Sequence, residues 1–381
     1  MTATHVTAVW HRDEVADGLA EALEGLMASV EENDGFPRWN RPMWRRLAAD
    51  GWFELLVGFE EPDRVKSARM LRGRLGAISE FERFRVPGPV ASTVGFVLPL
   101  LSASSADDTS VRLLEEMTGD GRLVVHASAW RDSFGSADRG SRRPELRDRS
   151  GGSILSGSVH GVPCAQLADV LLVPVARADG RVAVLALEPG RAGVDVESCG
   201  SLDSRLEYGR VTFEDVEIAE RDFVGGCDAD LGALVARLDA WYLVALSALA
   251  SGGGDALIAR TRDYVVDRRQ FGVPVGTFQA VKHMIAEMYR LNENGRAFTV
   301  SAAEALIAGE AAWMDDVVGS RLYTGRGYVE IGELAMQCHG GFGYTWEQQI
   351  HFWYRSALDG LARPHAESQL VEALADRIGL T

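Results

Sequence analysis

The amino-acid sequence predicts an α+β fold in which a helical segment, a β-rich segment and a second helical segment follow one another. Apolar residues recur every three or four positions near both ends of the chain, which is typical of amphipathic helices. The middle of the chain contains short runs of β-branched and aliphatic residues separated by Gly, Asp and Ser, which are typical of strands and turns. Since strands and helices do not alternate there, the pattern argues against a doubly wound dinucleotide-binding sheet.

Residues 1–120 are predicted to form an N-terminal α-helical domain. One face of its first helix carries apolar residues three or four positions apart, at Val15, Leu19, Leu23, Leu26 and Val30. A second helix, around Trp44 and Leu47, is expected to end near Asp50-Gly51. The segment Pro87-Gly88-Pro89 then interrupts the chain before an apolar stretch over 94–101.

Residues 121–227 are predicted to form a compact β domain, either a barrel or a sandwich. Its candidate strands are Leu123-Val124-Val125, Ile154-Leu155, Val170-Leu171-Leu172-Val173, Val182-Ala183-Val184-Leu185 and Val211-Thr212-Phe213. Residues 228–381 return to helical spacing, as in Phe278, Val281, Ile285 and Met288. The order of the three segments is therefore helices, strands, helices.

Composition disfavours several classes of partner. The 381 residues carry a net charge of −16, which disfavours nucleic acid and anionic membranes. No run of apolar residues of membrane-spanning length and no N-terminal signal pattern are evident, and the four cysteines show no paired spacing. These observations predict a reduced, cytoplasmic protein, and no histidine has the spacing of a metal site.

Two motifs in the C-terminal segment point to a cofactor. The first runs from Asp267 to His283 and begins Asp-Arg-Arg-Gln-Phe-Gly-Val-Pro; the second is Gln337-Cys338-His339-Gly340-Gly341-Phe342-Gly343-Tyr344. Their joint pattern, Arg-x-x-Phe-Gly-x-Pro followed by Gln-x-x-Gly-Gly-x-Gly, resembles the acyl-CoA dehydrogenase superfamily. The resemblance spans nearly the whole chain and implies that family's middle β-barrel and C-terminal four-helix bundle.

The resemblance implies that FAD binds at both motifs, with Arg268, Gln270 and Phe271 reaching the cofactor of a neighbouring subunit. Physical chemistry agrees, because a pyrophosphate needs the cation and donor that Arg268 and Gln270 supply, and adenine needs a flat apolar face such as Phe271. Gln337 offers amide donors, while Gly340 and Gly341 allow close approach of the backbone. Each feature also has a purely structural interpretation, as a solvated helix end, a core aromatic or a helix C-cap.

The carboxylate that such a dehydrogenase needs to remove the α-proton is missing from the expected positions. Counting without gaps from the two motifs, the positions where different members of the family carry the base hold Pro364, Tyr242 and Leu249. Asp239 is the nearest carboxylate on the preceding helix and is a weak candidate for the base; Asp359 and Glu367 lie further away. A solvated helix residue is the alternative interpretation of all three.

The middle segment departs from the family as well. The residues expected to line the flavin are replaced by 128–134 and by Gly161-Val162-Pro163-Cys164-Ala165, where Pro163 lacks a backbone donor. FAD binding is therefore better supported at the adenine end than at the ring end.

Three functions fit these features. The first is an FAD-dependent α,β-desaturation of an acyl thioester carried by CoA or a carrier protein. The second is a base-lacking partner subunit of a heteromeric dehydrogenase, and the third is a different flavin or non-redox reaction on the same fold. The resemblance implies a homodimer, a tetramer or a heterotetramer with a paralogue, and an electron-transfer flavoprotein or another electron acceptor.

Overall fold

The structure is a computed structural model that describes residues 14–28, 38–56, 64–104, 107–127, 144–149, 152–309, 313–362 and 367–380. Helices precede and follow a sheet along the chain, which confirms the predicted α+β class and the helical C-terminal region. The candidate strands of the middle segment are all present, whereas Val30, Pro364 and residues 128–134 lie outside the described residues.

The helices before the sheet are α1 (Glu14–Met27), α2 (Arg41–Ala49), α3 (Trp52–Leu56), α4 (Arg64–Arg83), α5 (Val90–Ala103) and α6 (Asp108–Asp120). The strands are β1 (Val124–His126), β2 (Glu145–Arg149), β3 (Gly152–Pro163), β4 (Val170–Ala176), β5 (Val182–Leu187), β6 (Val194–Ser198), β7 (Tyr208–Ile218), β8 (Phe223–Val224), β9 (Arg269–Gln270) and β10 (Val273–Pro274). The later helices are α7 (Gly232–Asp267), α8 (Gln279–Ala308), α9 (Trp313–His339), α10 (Ile350–Ala362) and α11 (Glu367–Arg377).

The chain divides into two compact units, each built from segments that are distant in sequence. The first contains residues 1–38, 60–86 and 243–367, and the second contains residues 39–59, 87–242 and 368–381. The division into three sequential domains at 120 and 227 remains a prediction.

In the first unit, a run of three glycines lets α7 approach its neighbours closely. A Cβ at Gly252 would collide with the backbone carbonyl of Ser79 in α4, and one at Gly253 would collide with the ring of Tyr328 in α9. A Cβ at the third glycine, Gly254, would likewise collide with the side chain of Asn292 in α8. Each glycine therefore serves one helix contact, and packing explains a run that would otherwise weaken the helix.

The second unit contains the sheet, whose strands pair in the order β6-β7-β3-β2-β4-β5-β8, with β1 pairing in parallel with β4. The long antiparallel pair of β3 and β7 sets Ser158 opposite Thr212. Strands β4 and β5 form an antiparallel hairpin from Leu171 opposite Leu187 to Ala176 opposite Val182. Their aliphatic residues are almost all buried, so they form much of this unit's core.

Helix ends in the second unit follow the sequence signals. Asn40 caps α2 by accepting a hydrogen bond from the backbone N–H of Met43 at 2.9 Å. The helix ends at Ala49, immediately before Asp50-Gly51, as predicted. Asp107 caps α6 in the same way, and Gly121 ends that helix in the left-handed conformation at φ 65°.

Helix α5 contains a π turn over Thr93–Val97. Gly95, in this turn, lies against α7: a Cβ there would be 2.7 Å from Tyr242 Cα and 3.0 Å from Trp241 O. The two helices therefore touch backbone to backbone at this point. Every residue of the π turn is buried.

Helix α7 is apolar enough to pass a length-and-composition test for a membrane span, with mean hydropathy of 1.5 over its most apolar window. This corrects the expectation that the chain has no such run. Because 67% of that window is buried inside the protein, the helix fits the description of a core helix.

Candidate functional site

The first motif forms a short β-hairpin directly after α7. Strands β9 and β10 pair antiparallel with Gln270 opposite Val273, so that only Phe271 and Gly272 form the turn. Both turn residues have positive φ, 52° and 82°, as a two-residue hairpin turn of the type favoured by right-handed strand twist requires. Asn or Gly usually occupies the first turn position; here it is an aromatic residue.

Phe271 is almost completely exposed, at 93% of its maximum. Its ring meets Phe278 edge-on, with the centroids 6.2 Å apart. An L-residue in the left-handed region costs about 1–2 kcal/mol. The chain therefore holds an aromatic ring in a strained conformation without burying it, and both features are typical of functional sites.

The polar residues of the hairpin are held by their backbone. Arg268 donates its N–H to Tyr264 O at 2.8 Å and accepts from Val275 N at 2.7 Å. Its side chain, like that of Gln270, is exposed and makes no hydrogen bond or ion pair with any residue in the described part of the chain. A cation and an amide on a fixed backbone are suited to an anionic ligand.

The second motif forms the end of α9 and the short 3₁₀ turn Gly340–Tyr344 that follows. Gly340 has φ 60°, which explains its identity, whereas Gly341 has no left-handed φ and no atom within 4 Å of a Cβ built on it. Nothing in the described chain thus requires position 341 to be glycine. Exposed backbone without a side chain is suited to close approach by a ligand such as a phosphate. Gln337 is also exposed, on the last turn of α9.

Tyr264 of α7 connects the two motifs within the first unit. Its ring stacks on His339 with centroids 4.2 Å apart and planes at 21°, and its hydroxyl donates to His339 O at 3.5 Å. It also contacts Phe342, at 6.1 Å. The base of the hairpin and the glycine turn therefore lie at the same end of the helices.

His339 is buried, and burial together with the nearby Arg260 guanidinium lowers the pKa of its imidazole to about 4. Neither ring nitrogen has a hydrogen-bond partner among the described residues. The side chain is therefore neutral at physiological pH and serves as an aromatic packing partner for Tyr264.

Around the two motifs, large aromatic side chains are left uncovered. Phe342 is 43% exposed, Trp346 53% and Tyr344 71%. Together with Phe271 and Phe278 they form a set of exposed rings that we call the aromatic set. The chemistry of the adenine and pyrophosphate half of FAD, an apolar base beside two phosphates, fits these rings, the exposed Arg268 and the bare backbone of Gly341.

Residues 162–165, at positions expected to line the flavin ring, are buried, unlike the exposed residues of the two motifs. Val162, Cys164 and Ala165 are buried to 2% or less, and burial raises the pKa of the Cys164 thiol. The Cys164 N–H donates to Glu207 O at 2.6 Å. A Cβ built on Gly209 would lie 2.8 Å from the Ala165 methyl carbon, so this methyl group packs directly on the glycine. These side chains belong to the core of the sheet, so they present no exposed face to a flavin ring.

The candidate carboxylates have different environments. Asp239 is buried on α7 with 2% exposure, and Asp359 is buried at 5% on α10. Glu367 forms an ion pair with Arg326 at the protein surface, as a structural residue does. At the aligned base positions, Tyr242 is buried and Leu249 is half-buried.

Metal and disulfide chemistry are not evident in the described ranges. No three His, Cys, Asp or Glu side chains there are grouped to hold an ion. All four cysteines are free thiols.

Sequence reasoning missed the stacking of Tyr264 on His339 and the exposure of Phe342, Tyr344 and Trp346. Helical spacing places Tyr264 on α7 but does not show which element it meets. The run Phe342, Tyr344 and Trp346 was a usable signal, since three large aromatic residues follow the glycine pair closely and concentrate apolar surface outside any helical pattern.

The chain is similar to known proteins in sequence and in fold. The family model for the C-terminal domain of acyl-CoA dehydrogenases matches residues 244–359. Acyl-CoA dehydrogenase FadE28 of Mycobacterium tuberculosis is 27% identical over 95% of this chain and 97% of its own length. An L-prolyl-[peptidyl-carrier protein] dehydrogenase of Serratia is 28% identical over 64% of each chain.

The fold matches solved structures over almost its full length. The ChsE4–ChsE5 complex of Mycobacterium tuberculosis superposes with a TM-score of 0.78 and 18% identity, covering 98% of this chain and 99% of the matched chain. At that identity the likeness concerns the fold.

Proposed function

Because the chain belongs to the acyl-CoA dehydrogenase superfamily, we propose that it takes part in the α,β-desaturation of an acyl thioester carried by CoA or a carrier protein. The superfamily consists of FAD-dependent oxidoreductases that act on CH–CH bonds, and this chain is one of them. The observation that carries the proposal is the hairpin, where an exposed cation, an amide and a strained aromatic ring stand beside a glycine turn.

When bound, FAD would supply the acceptor for the hydride of the β-carbon. The residues of this chain that would hold its adenosine and pyrophosphate are Arg268, Gln270 and Phe271 on the hairpin, with Gln337, Gly340 and Gly341 at the glycine turn. Arg268 would neutralise phosphate charge, and Phe271 would cover the adenine face. Tyr264 and His339 keep the two groups at one end of the helices.

Members of the superfamily form oligomers and pass electrons to an electron-transferring flavoprotein. For this chain we expect a dimer, tetramer or heterotetramer in the cytoplasm, in which another subunit covers the aromatic set. The same surface would then serve cofactor binding and assembly. The prolyl carrier-protein dehydrogenase among the relatives supports a carrier protein as one possible carrier of the thioester.

The test is the absorbance spectrum of the purified protein, alone and with its genomic neighbour. We expect a flavin band that an acyl thioester bleaches under anaerobic conditions. Arg268→Ala should weaken FAD binding about tenfold or more, as expected for loss of one charge-assisted contact. The matched control is Arg262→Ala, an exposed arginine on α7 that pairs with Asp263, which should leave binding unchanged. A colourless protein that takes up no FAD in either preparation would refute the proposal.

A second candidate function is that of a partner subunit that completes the FAD site of a competent paralogue without its own base. It is favoured by the absence of a carboxylate at Tyr242 and Leu249 and by the buried side chains at the positions expected to line the flavin ring. In such an assembly this chain would contribute its hairpin, and the paralogue would contribute the carboxylate.

The substitution Asp239→Asn distinguishes the two candidate functions. If Asp239 removes the α-proton, the substitution should lower kcat by about 10²–10⁴-fold, as loss of a general base does. In a partner subunit, the same change should leave the turnover of the assembled enzyme within a few-fold of wild type. Full activity of the wild-type chain by itself would exclude the partner-subunit function.

A further inference from the structure

The second unit places a closed wall of rings next to the position where other members of the superfamily carry the base. Phe96 of α5 stacks on His126 of β1 with centroids 4.6 Å apart and planes at 18°. Tyr242 of α7 meets the same imidazole edge-on at 4.8 Å. All three side chains are exposed by 2% or less, so no solvent enters between them.

The backbone closes the space that the rings leave. At Gly95 a Cβ would lie 2.7 Å from Tyr242 Cα, so α5 and α7 are in direct contact beside the rings. The π turn brings this glycine onto α7 while Ser92 and Phe96 both contact His126. Beside the rings, therefore, α5 and α7 touch at Gly95 and leave no gap between their backbones.

Hydrogen bonds fix the imidazole at the centre of the wall. Ser92 Oγ lies 2.6 Å from His126 Nδ1 and accepts a hydrogen bond from the His126 backbone N–H at 3.3 Å. Burial lowers the pKa of His126 to about 3, so the ring is neutral. The ring is stacked on one side, contacted edge-on by Tyr242 and anchored by a serine, so these contacts hold it in place within the wall.

We propose that Gly95, Phe96, His126 and Tyr242 form a wall that restricts this chain to short or compact acyl groups. The inference rests on the proposed function, because a base must touch the α-carbon and counting without gaps from the first motif puts position 242 where some members of the superfamily carry that base. An acyl chain that continues beyond that carbon would meet the rings within a few bonds. Long straight-chain thioesters are therefore excluded by volume.

The test measures binding, so that it does not depend on turnover. Phosphopantetheine thioesters carry the part that CoA and carrier proteins share, and replacing the β-carbon by sulfur leaves no β-hydrogen to remove. Calorimetric titration of the wild-type protein, alone and with its paralogue, would compare thia analogues of butyryl and decanoyl length. We expect binding of the short analogue and at least a roughly tenfold weaker affinity for the long one, since each methylene is worth about 10- to 200-fold in a closed pocket.

Phe96→Ala should open the wall and raise the affinity for the long analogue relative to the short one by about tenfold or more. Phe96→Leu provides a milder change if the alanine variant does not fold. The matched control is Phe53→Ala, an equally buried phenylalanine of the same unit that packs on Trp44 at 4.8 Å, which should leave the ratio unchanged.

Equal binding of both lengths by the wild type, or an unchanged ratio in both Phe96 variants, would overturn the wall while leaving the proposed function intact. Binding of neither analogue would overturn the wall too. In that case, oxidation of an acyl thioester by the assembly with the paralogue would show that the proposed function survives in the partner-subunit form. Absence of oxidation as well would refute both.

Discussion

Replacing Phe271 by glycine should separate the stability of the subunit from its affinity for FAD. The residue has φ 52°, and glycine would remove about 1–2 kcal/mol of left-handed strain. The unfolded chain of the glycine variant has more conformational freedom, which would offset this stabilisation by about 0.5–1 kcal/mol. Because the ring is 93% exposed, almost no burial is lost. The flavin-free protein should therefore be equally stable or up to about 1.5 kcal/mol more stable.

Cofactor binding should change in the opposite direction. Covering a phenylalanine contributes about 1.5–3 kcal/mol, so its loss should raise the Kd for FAD roughly 10- to 150-fold. Urea unfolding of the flavin-free protein and fluorescence titration with FAD measure the two quantities. Asp215→Gly is the control, because Asp215 also has positive φ, 48°, but lies in β7 of the other unit; it should leave the Kd unchanged. Destabilisation of the flavin-free Phe271→Gly protein by more than about 2 kcal/mol, or an unchanged Kd, would refute the assignment.

The remaining predictions concern glycines and histidine. Gly252→Ala should lower the free energy of unfolding by about 1–3 kcal/mol or prevent folding, because its methyl collides with the Ser79 carbonyl. Gly341→Ala, with open space around its methyl, should leave thermal unfolding unchanged but weaken FAD binding; equal Tm losses in both variants would contradict this. Burial holds the pKa of His339 at about 4, below its ordinary 6.5, so the unfolded chain binds more protons between these values and stability falls as pH drops. In His339→Phe, which keeps the stack on Tyr264, the free energy of unfolding measured with urea should fall between pH 7 and pH 5 by about 1–2 kcal/mol less than in the wild type. An identical pH dependence of the two proteins would rule out this contribution of His339.

Local patterns were sufficient for much of the fold. The apolar spacing in α1, the helix end at Asp50-Gly51 and the aliphatic strands β4 and β5 depend on neighbours in sequence, and the structure confirms them. The two cofactor motifs were also visible, because each is a continuous run of residues, although the β-hairpin that the first one forms was not predicted. Their six candidate residues remain predictions as cofactor ligands.

Features that depend on distant contacts could not be read from the sequence. The three glycines at 252–254 meet α4, α9 and α8 separately, and spacing alone does not show three different neighbours. The stack of Tyr264 on His339 joins residues 75 positions apart. The interleaving of two units from separate segments is likewise a property of tertiary packing.

The π turn makes the length of α5, as well as its composition, a constraint on how this sequence can vary. A π turn accommodates one residue more than an α-helical turn does, and each residue of a helix advances the face by about 100°. Deleting one residue within Thr93–Val97 would therefore restore an ordinary α-helical turn and leave both halves of the helix on their present faces. Inserting one further residue there would exceed what the turn accommodates and rotate one half of the helix against the other. Either Ser92 would turn away from His126, or the later apolar residues Leu98, Leu100 and Leu101 would leave the core, although every existing side chain would be unchanged.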